Sequence, residues 1–181
     1  EKEGRAWEAC MTFNGSWGYM PISPDWRSTR EVINLLNTAT AGGGNLLLNI
    51  GPAPDGSVPP EAIERLTAVG QWIEPNRQAI YGPVDRTQGR FDWLPTGGWT
   101  LKGNTGYFWC TRWPGSELAI GGLKTRLVKA SLLATGQPLR FEQTENRLVL
   151  KGLPVTQPDP IAGTTLFKLE FEAPPQQELG I

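Results

Sequence analysis

The residue types that could do chemistry narrow quickly in this chain of 181 residues, because it contains no histidine. That absence removes His-based nucleophilic triads and argues against an ordinary zinc site. Eight tryptophans point elsewhere. A Trp exposed in a cleft grips the apolar face of a sugar ring, although core packing is the commoner duty of any single Trp. The most informative stretch is Gly42-Gly43-Gly44-Asn45-Leu46-Leu47-Leu48-Asn49-Ile50-Gly51-Pro52, followed by Asp55-Gly56. A short apolar run bounded by such breakers reads as a strand covered on both faces, as in a parallel sheet inside a ring of helices. Asn45 and Asn49 then stand at strand ends, where a parallel barrel builds its sites.

The elements that must position those residues alternate up to about Tyr81-Gly82-Pro83. Trp7 to Phe13 reads as a short strand, and Asn14-Gly15-Ser16 as a turn. Ser28 opens a helix, because Glu31 three residues later completes a capping box. Val32, Ile33, Leu35, Leu36 and Ala39 fall on one helical face, and Gly42 to Gly44 end it. After the apolar run, Pro59-Pro60 opens a second helix whose buried face is Ile63, Leu66, Val69 and Ile73, with Pro75 as its stop. Strand, helix, strand, helix makes two parallel β/α units. Two such units leave naked strand edges, so either further units precede residue 1 in a longer protein or this half is not a barrel. The longer protein is the expectation, and the start at Glu1 reads as mid-element.

Beyond Pro83 the pattern becomes short β segments: Tyr107 to Arg112, Arg126 to Leu133, Arg147 to Lys151 and Thr165 to Phe171. Glu145-Asn146 separates the alternating runs Leu139 to Gln143 and Arg147 to Lys151 and reads as a hairpin turn. Short, regularly spaced strands predict an antiparallel sandwich, with a frayed tail from Pro174. The expected fold class is therefore α/β plus all-β: the end of a (β/α) TIM-like barrel over residues 1–83, then a β-sandwich over 84–181. At least two of Trp93, Trp99, Trp109 and Trp113 should fill the sandwich core.

A formal net charge of -1 gives no field for nucleic acid, and no stretch has the apolar length of a membrane span. Cys10 and Cys110 lie in dissimilar contexts and read as two buried free thiols rather than a disulfide.

Five blocks occur in order: Trp7-Glu8-Ala9-Cys10; Ser16-Trp17-Gly18-Tyr19; Gly43 through Pro52; Asp55-Gly56; and Ala79-Ile80-Tyr81-Gly82. Together they resemble the α-L-fucosidases of glycoside hydrolase family 29. The resemblance covers residues 5–83; beyond that it is one of pattern and position. It implies retaining hydrolysis of terminal α-L-fucosyl linkages on oligosaccharides or glycoconjugates, without metal or organic cofactor. Such chemistry uses two carboxyl groups about 5–5.5 Å apart, one as nucleophile and one as acid/base. The family's nucleophilic Asp lies on an earlier strand, outside this sequence, so the chain alone is expected to be inactive. In the family the acid/base usually falls on the loop after the block that Ser16-Trp17-Gly18-Tyr19 resembles, at a position that varies between members; here Asp25 is the first carboxylate on that loop and the leading candidate. Glu8 is a weaker one, with pairing to Arg5 as its alternative duty.

Trp17 and Tyr19 are expected on the substrate side, together with Asn45 and Leu46, the latter offering apolar surface to the C6 methyl of fucose. Asn49 is expected to satisfy loop backbone groups, and Asp55-Gly56 to be a turn and not a metal site. Met11 stands where some relatives carry Arg, and Arg77 where the family often has Gly. The substrate class implies a secreted, periplasmic or lysosomal location. The alternative function is a non-catalytic carbohydrate-binding or structural C-terminal module.

Overall fold

The computed structural model describes residues 6–22, 25–87 and 96–178. Strand β1 (Glu8–Thr12) and strand β2 (Asn45–Asn49) pair in parallel, in a register running from Glu8↔Asn45 to Thr12↔Asn49. Helix α1 (Thr29–Ala41) makes the crossover between them, and helix α2 (Pro60–Asn76) follows β2. The capping box that opens α1 is reciprocal: the Glu31 backbone N–H donates to Ser28 Oγ at 3.2 Å, and the Ser28 N–H donates to the Glu31 carboxylate at 2.7 Å. At the other end Gly43 takes φ +69°, with its N–H on Thr40 O and the Gly44 N–H on Ala39 O, both at 2.9 Å. This is the Schellman closure, whose left-handed residue is most cheaply a glycine. Phe13, Val32, Ala62 and Val69 form a core between strands and helices, joined by Leu48, Ile50 and Leu66.

Two details of α2 differ from expectation. Its buried positions are Ala62, Val69, Trp72 and Asn76, while Ile63 is exposed. The inward stripe runs through 62, 66, 69 and 73, so residue 63 sits about 100° around the helix from its start. The helix also runs through Pro75 to Asn76 before a 3₁₀ turn over Arg77–Ala79. A proline in the last turn forfeits one backbone hydrogen bond, and the helix ends at the next residue.

The remaining strands are β3 (Gly97–Lys102), β4 (Thr105–Cys110), β5 (Glu117–Gly121), β6 (Leu127–Leu132), β7 (Arg140–Thr144), β8 (Arg147–Lys151) and β9 (Thr165–Phe171). They form two antiparallel sheets, ordered β3-β4-β9-β6 and β5-β8-β7. The two sheets pack as a sandwich around Leu101, Phe108, Leu118, Ile120, Leu148, Leu150, Phe167 and Leu169. Thr144 pairs with Arg147, which leaves Glu145-Asn146 as the hairpin turn.

The first sheet is covered on both faces. Phe108 and Cys110 of β4 belong to the sandwich core, whereas Tyr107 and Trp109 pack with Ile33, Trp72, Ala79 and Ile80 of the helical half. Trp109 Nε1–H donates to Thr100 Oγ1 at 3.0 Å, and Thr100 donates onward to Ala79 O at 2.9 Å. Trp99 and Trp109 are both buried, and Trp93 lies outside the described residues. The thiols differ from expectation: Cys110 is buried, but Cys10 is exposed, on the face of β1 turned away from the helices.

The segment from Pro174 is not frayed as far as residue 178. Lys124 N–H donates to Gln176 O at 3.0 Å, Glu178 N–H to Gly122 O at 2.8 Å, and Gln177 Nε2 to Gly121 O at 2.8 Å. These bonds stitch the tail along the chain that leaves β5. Among the described residues no helix is long and apolar enough to cross a membrane.

Candidate functional site

The parallel pair gives the molecule two distinguishable ends. At the carboxyl end β1 runs into Phe13 and Asn14, both buried, and β2 into Asn49, Ile50 and Gly51. The loop leaving β1 folds on itself there: Ser16 N–H donates to Asn14 Oδ1 and Gly18 N–H to Ser16 Oγ, each at 3.3 Å. This loop lies against the end of β2. Gly51 has φ +58°, and a Cβ placed on it would stand 2.9 Å from the carbonyl oxygen of Gly18. Neither the backbone conformation nor the space admits a side chain. Asn49 secures the same turn, its Oδ1 accepting the Gly51 N–H at 3.1 Å.

The loop holds Trp17 59%, Tyr19 43%, Met20 40% and Ile22 85% exposed. Its far end returns to β1, where Arg27 N–H donates to Phe13 O at 2.9 Å and Arg27 Nε to Thr12 O at 2.8 Å. Trp26 meets Phe13 edge to face, with ring centroids 5.3 Å apart. Asp25, exposed, lies two residues before the Arg27 that is anchored at the carboxyl end of β1. Glu31 starts α1 at this end too. Its carboxyl is held below the usual carboxylate range by the Ser28 backbone N–H and then by the Ser28 hydroxyl, which suits a cap and not a proton donor.

The other expected site residues lie elsewhere. Glu8 opens β1 and Asn45 opens β2, opposite one another at the amino end. At about 3.3 Å per residue, four residues put them roughly 13 Å from the carboxyl end. Leu46 shares its face of β2 with Leu48, which packs on the helices, and it lines a cavity with Leu36 and Ile73. Its methyl groups serve the helix layer. Glu8, Asn45 and Leu46, expected near substrate, therefore stand away from the carboxyl end, where the loop bearing Trp17 and Tyr19 meets Gly51. The reason is strand polarity, since the two Asn residues that flank one apolar run stand at opposite ends of it.

Asp55 is a turn residue, its carboxylate accepting from Ser57 N–H at 2.9 Å and from the Ser57 hydroxyl at 2.7 Å. Among the described residues no group of three or more His, Cys, Asp or Glu is placed to hold a metal ion.

Comparison with known proteins bears on this arrangement directly. The family model described as α-L-fucosidase matches residues 1–78. Plasma α-L-fucosidase of Pongo abelii is 34% identical over 157 residues, covering 82% of this chain and 34% of that protein. The solved structure of α-L-fucosidase isoenzyme 1 from Paenibacillus thiaminolyticus superposes with a TM-score of 0.83 at 29% identity, over 92% of this chain and 40% of that one. The chain belongs to the α-L-fucosidase family. A further structure, a family 29 α-L-fucosidase of Bacteroides thetaiotaomicron trapped as a covalent intermediate with 2-fluoro-fucosyl fluoride, aligns over 93% of this chain and 38% of that one, with a TM-score of 0.77 and 29% identity. The chain spans about a third of the length of the curated relatives it matches.

Sequence reasoning about this fucosidase-family chain missed the contact that unites two of the recognised blocks. Gly18 of Ser16-Trp17-Gly18-Tyr19 sits on Gly51 of the Asn49-Ile50-Gly51-Pro52 block. A Gly directly after a strand was the available signal. Met20 and Ile22 gave none, because exposure of an apolar residue is invisible in composition. The face of the pair away from the helices was legible only after the register was known: Glu8, Cys10 and Thr12 share it with Asn45, Leu47 and Asn49.

Proposed function

We propose that this chain is the carboxyl-terminal portion of a longer retaining α-L-fucosidase that removes terminal α-L-fucosyl residues from glycans. Residues 1–83 would supply the last β/α units of a TIM-like barrel and residues 84–181 the sandwich that braces them. One observation supports the reading: the loop bearing Trp17 and Tyr19 lies against Gly51 at the carboxyl end of two parallel strands, the end at which barrel enzymes place their chemistry. The covalent intermediate named for the Bacteroides neighbour supports the retaining course.

In this mechanism Asp25 gives its proton to the glycosidic oxygen as the upstream nucleophile attacks the anomeric carbon. It then takes a proton from the water that releases fucose. Trp17 and Tyr19 stack on and orient the sugar. Carboxyl groups carry both steps, so no cofactor enters, and the substrate class fits a secreted, periplasmic or lysosomal protein.

The test is an assay of the longer protein on an aryl α-L-fucoside. Turnover with retained anomeric configuration is expected, and its absence overturns the proposal. Asp25→Asn should slow substrates with poor leaving groups by ~10²–10⁴-fold while sparing activated aryl substrates, and equal rates would remove Asp25 from the role. The 181-residue chain alone should show no hydrolysis.

A further inference from the structure

Where the chain leaves β1 it runs over a short relay of side-chain acceptors that the proposed mechanism leaves unused. The pairing of the two strands ends with the Phe13 N–H donating to Asn49 O at 3.0 Å. Asn14 is the next residue, and it is 3% exposed. Its Oδ1 accepts the Ser16 N–H, and Ser16 Oγ accepts the Gly18 N–H, each at 3.3 Å. Each bond spans two residues, the local pattern in which an Asn or Ser side chain stands in for a backbone turn. Gly15, at φ +78° with open space around it, supplies the left-handed step between them.

The spacing divides the loop by parity. Residues 14, 16 and 18 hold one another, and Gly18 rests on Gly51 at the end of β2. The odd-numbered Trp17 and Tyr19 are left outside this relay, 59% and 43% exposed. The carbonyls that end β1 are engaged with the returning chain: Thr12 O receives Arg27 Nε at 2.8 Å, and Phe13 O the Arg27 N–H at 2.9 Å. The outgoing chain is therefore turned by Asn14 and Ser16 themselves. A buried amide costs stability unless it is hydrogen-bonded, so an apolar residue would fill the space at position 14 more cheaply. What the amide oxygen adds is the direction of the loop.

We propose that Asn14 is a positioning residue for the fucosyl group: through Ser16 and Gly18 it fixes the backbone from which Trp17 and Tyr19 meet the sugar. The inference rests on the fucosidase reading and on the substrate-side place given there to the two rings. Asn14 acts through those rings and not on the substrate itself. Rings held in place before the sugar arrives lose less conformational freedom when it binds. Loosening them weakens binding, while the carboxyl groups that carry the bond-breaking steps are not part of the relay.

The test compares Asn14→Ala with Asn14→Ser in the longer protein, on an aryl α-L-fucoside. The two variants differ by one hydroxyl, which accepts the residue-16 N–H in the same two-residue pattern. Asn14→Ala should raise KM about tenfold, with kcat per folded molecule within about twofold, and Asn14→Ser should bring the rise in KM down to about threefold. Ser16→Ala, at a partly exposed position, breaks only the second bond and should raise KM about threefold, which decides the matter even if Asn14→Ala does not fold. A merely structural role lowers the folded fraction, and with it the apparent kcat, but leaves KM where it was; that result overturns the proposal. So does a KM rise in Asn14→Ala that Asn14→Ser does not reduce. Turnover by wild type with KM unmoved in Asn14→Ala and Ser16→Ala overturns this inference and spares the fucosidase reading. No turnover by wild type removes that reading and this inference together.

Discussion

The two halves of the molecule solve the burial problem differently. In the antiparallel half every core position is closed: Phe108, Phe167, Leu101, Leu148 and Leu150 are each 0% exposed. In the parallel half one face of the strand pair is packed under helices and the other is open, with Leu47 48% exposed beside an exposed Cys10. An apolar strand with one open face is the signature of a sheet meant to be covered on both sides. The half that carries the proposed site also packs on the half that does not. The sheet containing β4 supplies the lean, since it serves one core with Phe108 and the other with Trp109.

The largest effect should come from cutting that shared element. Trp109→Ala removes a 0% exposed indole that packs at a tilt on Trp72, with ring centroids 5.3 Å apart, and holds the hydrogen bond to Thr100. A loss of ~3–5 kcal/mol is expected in urea denaturation of the longer protein. If the halves depend on one another as described, far-UV circular dichroism and tryptophan fluorescence will report one coincident transition in wild type. Two separate transitions would break the comparison.

A pair of glycines sharpens it further. Gly51 at φ +58° carries the Gly18 carbonyl, whereas Gly163 at φ +64° has open space around it in the sandwich half. Alanine at either position meets the ~1–2 kcal/mol cost of a left-handed conformation. Only Gly51→Ala must also push the aromatic loop off the end of β2. We expect it to lower kcat/KM of the longer protein about tenfold or more, with Gly163→Ala leaving kcat/KM unchanged. Equal effects would show that the loop's seat on Gly51 has no bearing on the chemistry.

Local signals were legible in the sequence wherever one short segment decides its own structure. Ser28 with Glu31, the Gly42-Gly43-Gly44 stop and the Glu145-Asn146 turn each needed only neighbouring residues, and each is found in the structure. What escaped depends on distant partners. Strands β3 and β5 are short and Gly-bearing, and gain definition from β4 and β8. The tail looked free because its partners, Gly121, Gly122 and Lys124, lie some fifty residues away. The site was half legible for the same reason. Composition marked the Asn45–Asn49 run, but only the parallel pairing shows that Asn49, and not Asn45, lies at the carboxyl end, where the loop bearing Trp17 and Tyr19 meets Gly51.

The smallest effect lies at the same carboxyl end and depends on pH. The Glu31 carboxylate caps α1 at an exposed position, and hydrogen bonds from Ser28 hold its pKa below the ordinary 4.5. A group whose folded value is depressed stabilises the folded state above its unfolded value, and that contribution is lost as pH falls through the folded value. Glu31→Gln keeps the shape and an acceptor but removes the charge, which near a helix N-terminus contributes ~0.3–1 kcal/mol. Wild type should therefore exceed Glu31→Gln by a few tenths of a kcal/mol at pH 7 in urea denaturation. The gap should hold down to about pH 5 and close below about 4.5, where wild type protonates. A gap that stays constant down to pH 3 would mean that the side chain acts through shape alone. The charge would then contribute nothing to fixing the end of the molecule where Asp25 and the aromatic loop are held.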